Sequence, residues 1–195
     1  MQFSRDHLKD VVHVVGFVAA VIIGAWLINL LLFRSFSVIG PSMEPTMYTG
    51  DRLIINRVPV TIAALQGKDY SPARGHVIVF KNPHYFPGGA DEYVVKRVIG
   101  FAGERVVVSG GKVTVYNPTS PGGFDPYQGA PVQPVSVSGT VDEVVPDGEL
   151  FVIGDNRSGD YSLDSRNGLG TIPLTDIIGP VAMRIFPVTQ ISTDF

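Results

Sequence analysis

Ser42 lies in Ser37-Val38-Ile39-Gly40-Pro41-Ser42-Met43-Glu44-Pro45-Thr46-Met47, bracketed by one glycine and two prolines. Pro41 fixes its own φ and Pro45 biases Glu44 toward extended backbone, so the serine is held on a stiff loop with little entropy to lose when a substrate arrives. The same composition is also ordinary turn chemistry. A serine hydroxyl is a weak nucleophile at neutral pH and needs a base. Of the 4 histidines, His7 precedes a long apolar run, His13 lies within it, and His76 and His84 fall near strand ends with no acidic residue at a telling spacing. A lysine can serve instead if it is kept neutral. Lys96 stands in Tyr93-Val94-Val95-Lys96-Arg97-Val98-Ile99-Gly100, where strand alternation sets it with Val94 and Val98 and sets Arg97 with Val95 and Ile99. A charge on either apolar face is costly unless paired or absent, and burial of Lys96 would favour the neutral amine that a general base requires. The segment also reads as an edge strand bearing protective charges. Polar groups are dense again in Gly154-Asp155-Asn156-Arg157 and Ser162-Leu163-Asp164-Ser165-Arg166-Asn167-Gly168, after the apolar run Leu150 to Ile153, as in a site or a long hydrophilic turn.

Two kinds of element must position these groups. Val11 to Phe33 carries no formally charged side chain apart from the weakly titrating His13. As a helix it is about 35 Å long, enough to cross a hydrocarbon core of roughly 30 Å. A cleavable signal has a shorter apolar core and small residues at its cut site, whereas Arg34, Ser35 and Phe36 follow here, so the run reads as an anchor. Arg5 and Lys9 before it and Arg34, Arg52 and Arg57 after it leave its orientation open. Over 195 residues, 15 Lys and Arg against 18 Asp and Glu give a net charge of −3, which argues against nucleic-acid binding. The 22 Gly and 15 Pro oppose a helical bundle and favour a mainly β architecture, and the absence of Cys excludes disulfides, thiol nucleophiles and Cys-ligated zinc. Strands are expected at Asp51 to Arg57, His76 to Lys81, Tyr93 to Gly100, Arg105 to Val108, Lys112 to Tyr116, Glu149 to Gly154 and Ile178 to Phe186, with a tight hairpin at Ser109-Gly110-Gly111. The expected organisation is a short N-terminus at 1–10, a transmembrane helix at 11–33 and a β-rich domain at 35–195, in which 117–140 is a Pro- and Gly-rich surface excursion with little core of its own.

Taken in order after one apolar helix, four segments resemble the type I signal peptidases of bacteria. They are Ser42-Met43-Glu44-Pro45-Thr46, then Arg74-Gly75-His76-Val77-Ile78-Val79-Phe80, then Lys96-Arg97-Val98-Ile99-Gly100, and last Gly154-Asp155-Asn156-Arg157 with Asp164-Ser165-Arg166. The resemblance covers essentially the whole chain. It implies a mainly β, signal-peptidase-type catalytic domain on one N-terminal transmembrane helix. It also implies a membrane-bound serine endopeptidase, without metal or cofactor, that removes N-terminal signal peptides from exported preproteins by cutting after small residues. Its partners would be those signal peptides and the lipid bilayer, with the catalytic domain outside the cytoplasm and residues 1–10 inside. Ser42 would be the nucleophile and Lys96 the general base, with Ser162 orienting the amine and Asp155, Asp164 and Arg166 bracing the site. Arg97 is expected to pair with Asp155, and Ile39, Met43 and Phe80 to line substrate pockets or meet lipid. Three positions depart from the family pattern: Ser158 to Tyr161 are four residues where the family usually has two, Gly40 stands where some relatives carry a serine that helps hold the oxyanion, and His76 replaces a common Asp. Lysine at 96, where the endoplasmic-reticulum relatives use histidine, points to the bacterial branch. A non-catalytic binding protein or assembly chaperone of the same fold, and a peptidase dedicated to one maturation substrate, are the alternative readings.

Overall fold

The computed structural model describes residues 5–89, 92–128, 136–159 and 161–195. Helix α1 covers Arg5–Leu31, and its apolar side chains from Val11 onward are exposed along the span, none of it buried inside the protein. A helix satisfies its backbone internally, as an apolar surrounding demands. Phe33, read above as the end of the apolar run, instead opens strand β1 (Phe33–Ser37). The first four residues, part of the N-terminus expected at 1–10, lie outside the described residues.

The remainder is mainly β. A seven-stranded sheet has the order β1, β2 (Arg52–Asn56), β11 (Ile177–Phe186), β3 (Val77–Lys81), β4 (Tyr93–Phe101), β9 (Glu149–Ile153) and β10 (Ile172–Pro173). A four-stranded sheet has the order β7 (Ser120–Phe124), β6 (Lys112–Asn117), β5 (Arg105–Ser109) and β8 (Val141–Val144). Short β-branched runs build both sheets, and Gly110-Gly111, with φ of 57° and 80°, closes β5 onto β6 at the Ser109–Lys112 pair. Only glycine adopts two successive positive φ values without strain, so this turn follows from its sequence.

Three apolar clusters hold the layers together. Ile99, Phe151 and Ile153 of the large sheet meet Val106, Val108, Val113 and Val115 of the small one. On the opposite face of the large sheet, Ile78, Phe80, Val98 and Val152 pack with Leu169 and Ile172. A third cluster joins Val77 and Val79 to Leu53, Ile55, Met43 and Met47.

The expectation for 117–140 is corrected by this packing. β7 extends the small sheet, Val137 is a buried member of its core, and Phe124 and Tyr127 pack against that core. Tyr127 carries the Arg157 guanidinium 3.4 Å from its ring centroid, and burial pushes the Tyr127 hydroxyl pKa up. The composition supplies few large apolar residues, but Phe124, Tyr127 and Val137 pack inward. Residues 129–135 of that segment lie outside the described residues. Helix α2 (Val58–Leu65) was not anticipated at all.

Where β4 turns into β5, buried Glu104 accepts two hydrogen bonds from Arg74, at 2.7 and 2.8 Å, and one from Asn117 at 2.9 Å. Burial alone would raise its carboxyl pKa, but the bonds from Asn117, Arg74 and the Phe101 amide prevail and hold it below the ordinary carboxylate range. A depressed folded pKa means that this stabilisation is complete above the ordinary range and fades as pH falls through the folded value. Glu104→Gln is therefore expected to destabilise the fold by about 2 kcal/mol at neutral pH and by progressively less on acidification, read as urea midpoints across a pH series.

Candidate active site

The loop after β1 is pinned at both ends before it reaches Ser42. Val38 donates to the Asp51 carbonyl at 2.8 Å, and Met43 and Met47 are fully buried in the third cluster. From β11, Arg184 reaches across to Asp51 Oδ2 at 2.9 Å and the Thr46 carbonyl at 3.0 Å. Asn156 fixes the serine itself, its backbone N–H donating to Ser42 O at 3.0 Å and its side chain to Pro41 O at 3.1 Å. These braces, Asp51, Arg184, Thr46 and Asn156, were not anticipated as site residues.

Lys96 is 3% exposed, and its Nζ donates to Ser42 Oγ at 2.7 Å and to the Val95 carbonyl at 2.9 Å. Strand geometry explains the approach. β9 pairs with β4 only from Arg97 onward, opposite Ile153, so beside Lys96 no strand occupies that edge of β4. Gly154 then turns the chain away, and the Ser42 loop fills the vacated place.

Arg97 points to the other face, which alternation gives it in common with Val95 and Ile99, and it is fully buried there. Its guanidinium grips Asp155 with two bonds, Nε to Oδ1 at 2.8 Å and Nη2 to Oδ2 at 2.6 Å, and donates from Nη1 to Gly75 O at 2.6 Å. Thr46 Oγ1 donates to Asp155 Oδ2 at 2.6 Å, tying the serine loop to the same pair. A second buried pair lies beneath: Arg166 donates to both Asp164 oxygens at 2.9 and 2.7 Å, and Asp164 Oδ2 accepts the Gly154 N–H at 3.0 Å.

Two expectations do not fit this geometry. Ser162 is fully buried, but among the described residues its Oγ has no hydrogen-bond partner, and no bond joins it to Lys96. The amine instead lies against Val95 O and Ser42 Oγ. Phe80 and Met43 are fully buried in the second and third clusters rather than lining a pocket, because alternation turns Phe80 to the face opposite Val79 and the loop folds Met43 inward. Ile39, 78% exposed, does line the cavity at Ser42. That cavity, about 800 Å³, runs between the segment Phe36 to Ser42 and the start of β4 from Tyr93 to Lys96 with the preceding Glu92, with Leu53 and Val79 in its wall and Tyr161 and Leu163 at its margin. His84 lies elsewhere, its ring 3.1 Å from Leu169 O.

Gly40 has φ of 86°, a left-handed conformation with nothing within 4 Å of an added Cβ, so backbone rather than space favours glycine there. Gly154 is the reverse case. A Cβ at this residue would lie 2.1 Å from Ser162 Oγ and 2.4 Å from Ser42 O. Among the described residues nothing accepts the Ser42 amide N–H, which leaves that donor available beside its own hydroxyl.

Comparison with known proteins places this arrangement in context. The family described as "Signal peptidase, peptidase S26" matches residues 8–186. A signal peptidase I of Bacillus amyloliquefaciens is 31% identical over 200 residues, spanning 98% of this chain and 98% of its own. Signal peptidase I T of Bacillus subtilis is 33% identical over 183 residues, covering 85% of this chain and 80% of the relative. A crystal structure of a signal peptidase I from Enterococcus faecalis, 22% identical, covers 56% of this chain and 96% of its own with a TM-score of 0.42.

Gly154→Ala is expected to leave the protein folded while displacing the Ser42 backbone. Peptide-bond hydrolysis should then fall about 100-fold, with the thermal midpoint lowered because overpacking costs about 1–3 kcal/mol.

Proposed function

The chain belongs to the signal peptidase family, peptidase S26, and is a serine endopeptidase, in which we propose that Ser42 is the nucleophile and Lys96 the general base. The observation that carries this reading is the 2.7 Å contact between Lys96 Nζ and Ser42 Oγ at the wall of an open cavity. With Lys96 acting as a neutral amine, the Ser42 hydroxyl proton passes along the contact to Nζ as Oγ attacks the scissile carbonyl. The carbonyl π electrons become the oxyanion, which the Ser42 amide N–H stabilises. Collapse expels the amine of the mature protein, protonated by Lys96, and leaves the signal peptide as an ester on Ser42. Water, deprotonated by Lys96, attacks that ester, and the proton returns to Ser42 Oγ. Arg97, Asp155, Asp164 and Arg166 act as positioning residues, holding the β4 edge and the Gly154 turn under the serine. Ser162, buried under Gly154, takes the role of filling the space that keeps Ser42 in place.

The substrate is the signal peptide of an exported preprotein, lying extended along the unpaired β4 edge. The cavity wall of Leu53, Val79 and Val95 leaves shallow room, which suits small side chains before the cut. The apolar window of α1, Lys9–Leu31, has a mean hydropathy of 2.5, long and apolar enough to cross a membrane. Spanning the cell membrane, it would set the domain from residue 35 onward outside the cytoplasm. Enzyme and signal peptide then share one plane, raising their effective concentration.

The test is cleavage of a preprotein in detergent by the full chain and by its Ser42→Ala and Lys96→Ala variants, with N-terminal sequencing of the product. Cutting after a small residue, reduced at least about 1,000-fold by either substitution, is the expected result. Activity surviving in Lys96→Ala would move the base elsewhere. A folded wild-type protein that binds the signal peptide without cutting it would point to the binding-protein reading.

A further inference from the structure

We propose that α2 is a second, in-plane membrane contact that rests on the outer boundary of the bilayer beside the end of α1. The proposal rests on the membrane reading of α1. Its first ground is depth. Thr61 Oγ1 donates to the Leu31 carbonyl at 2.7 Å, and the Arg57 backbone N–H donates to the Leu32 carbonyl at 2.8 Å. Leu31 is the last residue of α1 and Leu32 the next, where a helix end leaves carbonyls without intrahelical partners. The apolar window of 23 residues ending at Leu31 is about 35 Å long, so its end coincides with the limit of a hydrocarbon core of roughly 30 Å. Whatever is hydrogen-bonded to Leu31 and Leu32 lies at that limit too.

The second ground is composition. Val58-Pro59-Val60-Thr61-Ile62-Ala63-Ala64-Leu65 has no charged residue, and none of its residues is buried. Val60 leans on the second apolar cluster, while Ile62 and Leu65, three apart and so on one face, are 48% and 83% exposed. A helix that packs one side on a domain and offers Ile and Leu on the other has an apolar neighbour missing.

Charge complementarity identifies that neighbour as lipid. Arg57 precedes α2, and Arg34, opposite Ile55 in the β1–β2 pair, lies near enough for its charge to act on Arg57. Neither forms an ion pair among the described residues. Arg34 stacks on Phe36 and Tyr93 and donates to the Tyr93 hydroxyl at 3.3 Å, and both Arg34 and Arg57 are half-buried, so among the described residues both cations stand without a carboxylate at headgroup depth. Phosphate oxygens of phospholipid headgroups would accept from them. Burial and the charge of Arg34 both lower the Arg57 pKa, a direction that an anion there would oppose.

The chain's 1 tryptophan, Trp26 in α1, supplies an internal reference. The full chain is reconstituted in phospholipid vesicles, and quenching by lipids brominated high or low on the acyl chain is measured for the native protein and for a Trp26→Phe, Leu65→Trp variant. Leu65 lies outside the site and is mostly exposed, so cleavage activity serves as the check on folding. The variant's indole should be quenched about twofold more by the high bromine than by the low one, as for a helix buried about 5–10 Å into the interface. Quenching of Trp26 without quenching of the variant's indole would overturn the proposal and leave α1 as the sole anchor. Absence of quenching at both positions would remove the membrane reading of α1 and the proposal with it.

Discussion

Everything at the site is organised around one buried ion pair. The side chains of Arg97 and Asp155 are 0% and 1% exposed. Two such charges are costly to desolvate, and the arrangement persists because further hydrogen bonds offset that cost. Asp155 takes both guanidinium bonds and the Thr46 hydroxyl, while Gly75 O takes the third Arg97 donor. The pair thereby joins β4, the serine loop and the Gly154 turn. Alternation does the rest. With Arg97 committed to one face of β4, Lys96 must leave by the other, at the point where β9 has ended and the edge lies open to Ser42.

A second constraint is room. Ser42, Gly154 and Ser162 share a space in which one added methyl group would lie within 2.4 Å of two of them. The Asp164–Arg166 pair holds the Gly154 amide from below, and Asn156 holds the Ser42 carbonyl from the side. Contacts of this kind fix an attacking atom within a fraction of an ångström, which rigid elements do better than mobile loops.

The sequence made much of this legible, and the misses share a cause. Strands with β-branched runs between Gly and Asp turns declared themselves, and Gly110-Gly111 could hardly form any other turn. The Arg97–Asp155 contact was expected from the order of the motifs and is present. β1 was hidden because Phe33 continues the apolar run of α1 without a break. β7 was hidden because Pro121-Gly122-Gly123 reads as a loop, though a strand on the rim of a small sheet tolerates it. α2 is short, uncharged and rich in branched residues, so no helical period stands out. Phe80 was misassigned by one step of alternation, since Val79 rather than Phe80 faces the cavity. Bonds from side chain to backbone, such as Lys96 Nζ to Val95 O, leave no trace in residue types.

The central claim is that the Arg97–Asp155 pair sets the position of Lys96 and Ser42 and does more than stabilise the fold. Turnover of a preprotein by an Arg97→Met, Asp155→Leu double variant tests it most directly, measured beside the thermal midpoint. Apolar replacement of both charges should leave the protein folded, since exchanging a whole buried pair is often neutral, while cleavage falls about 100-fold because β4 and the serine loop lose their common tie. A folded double variant that cleaves at the unaltered rate would contradict the account.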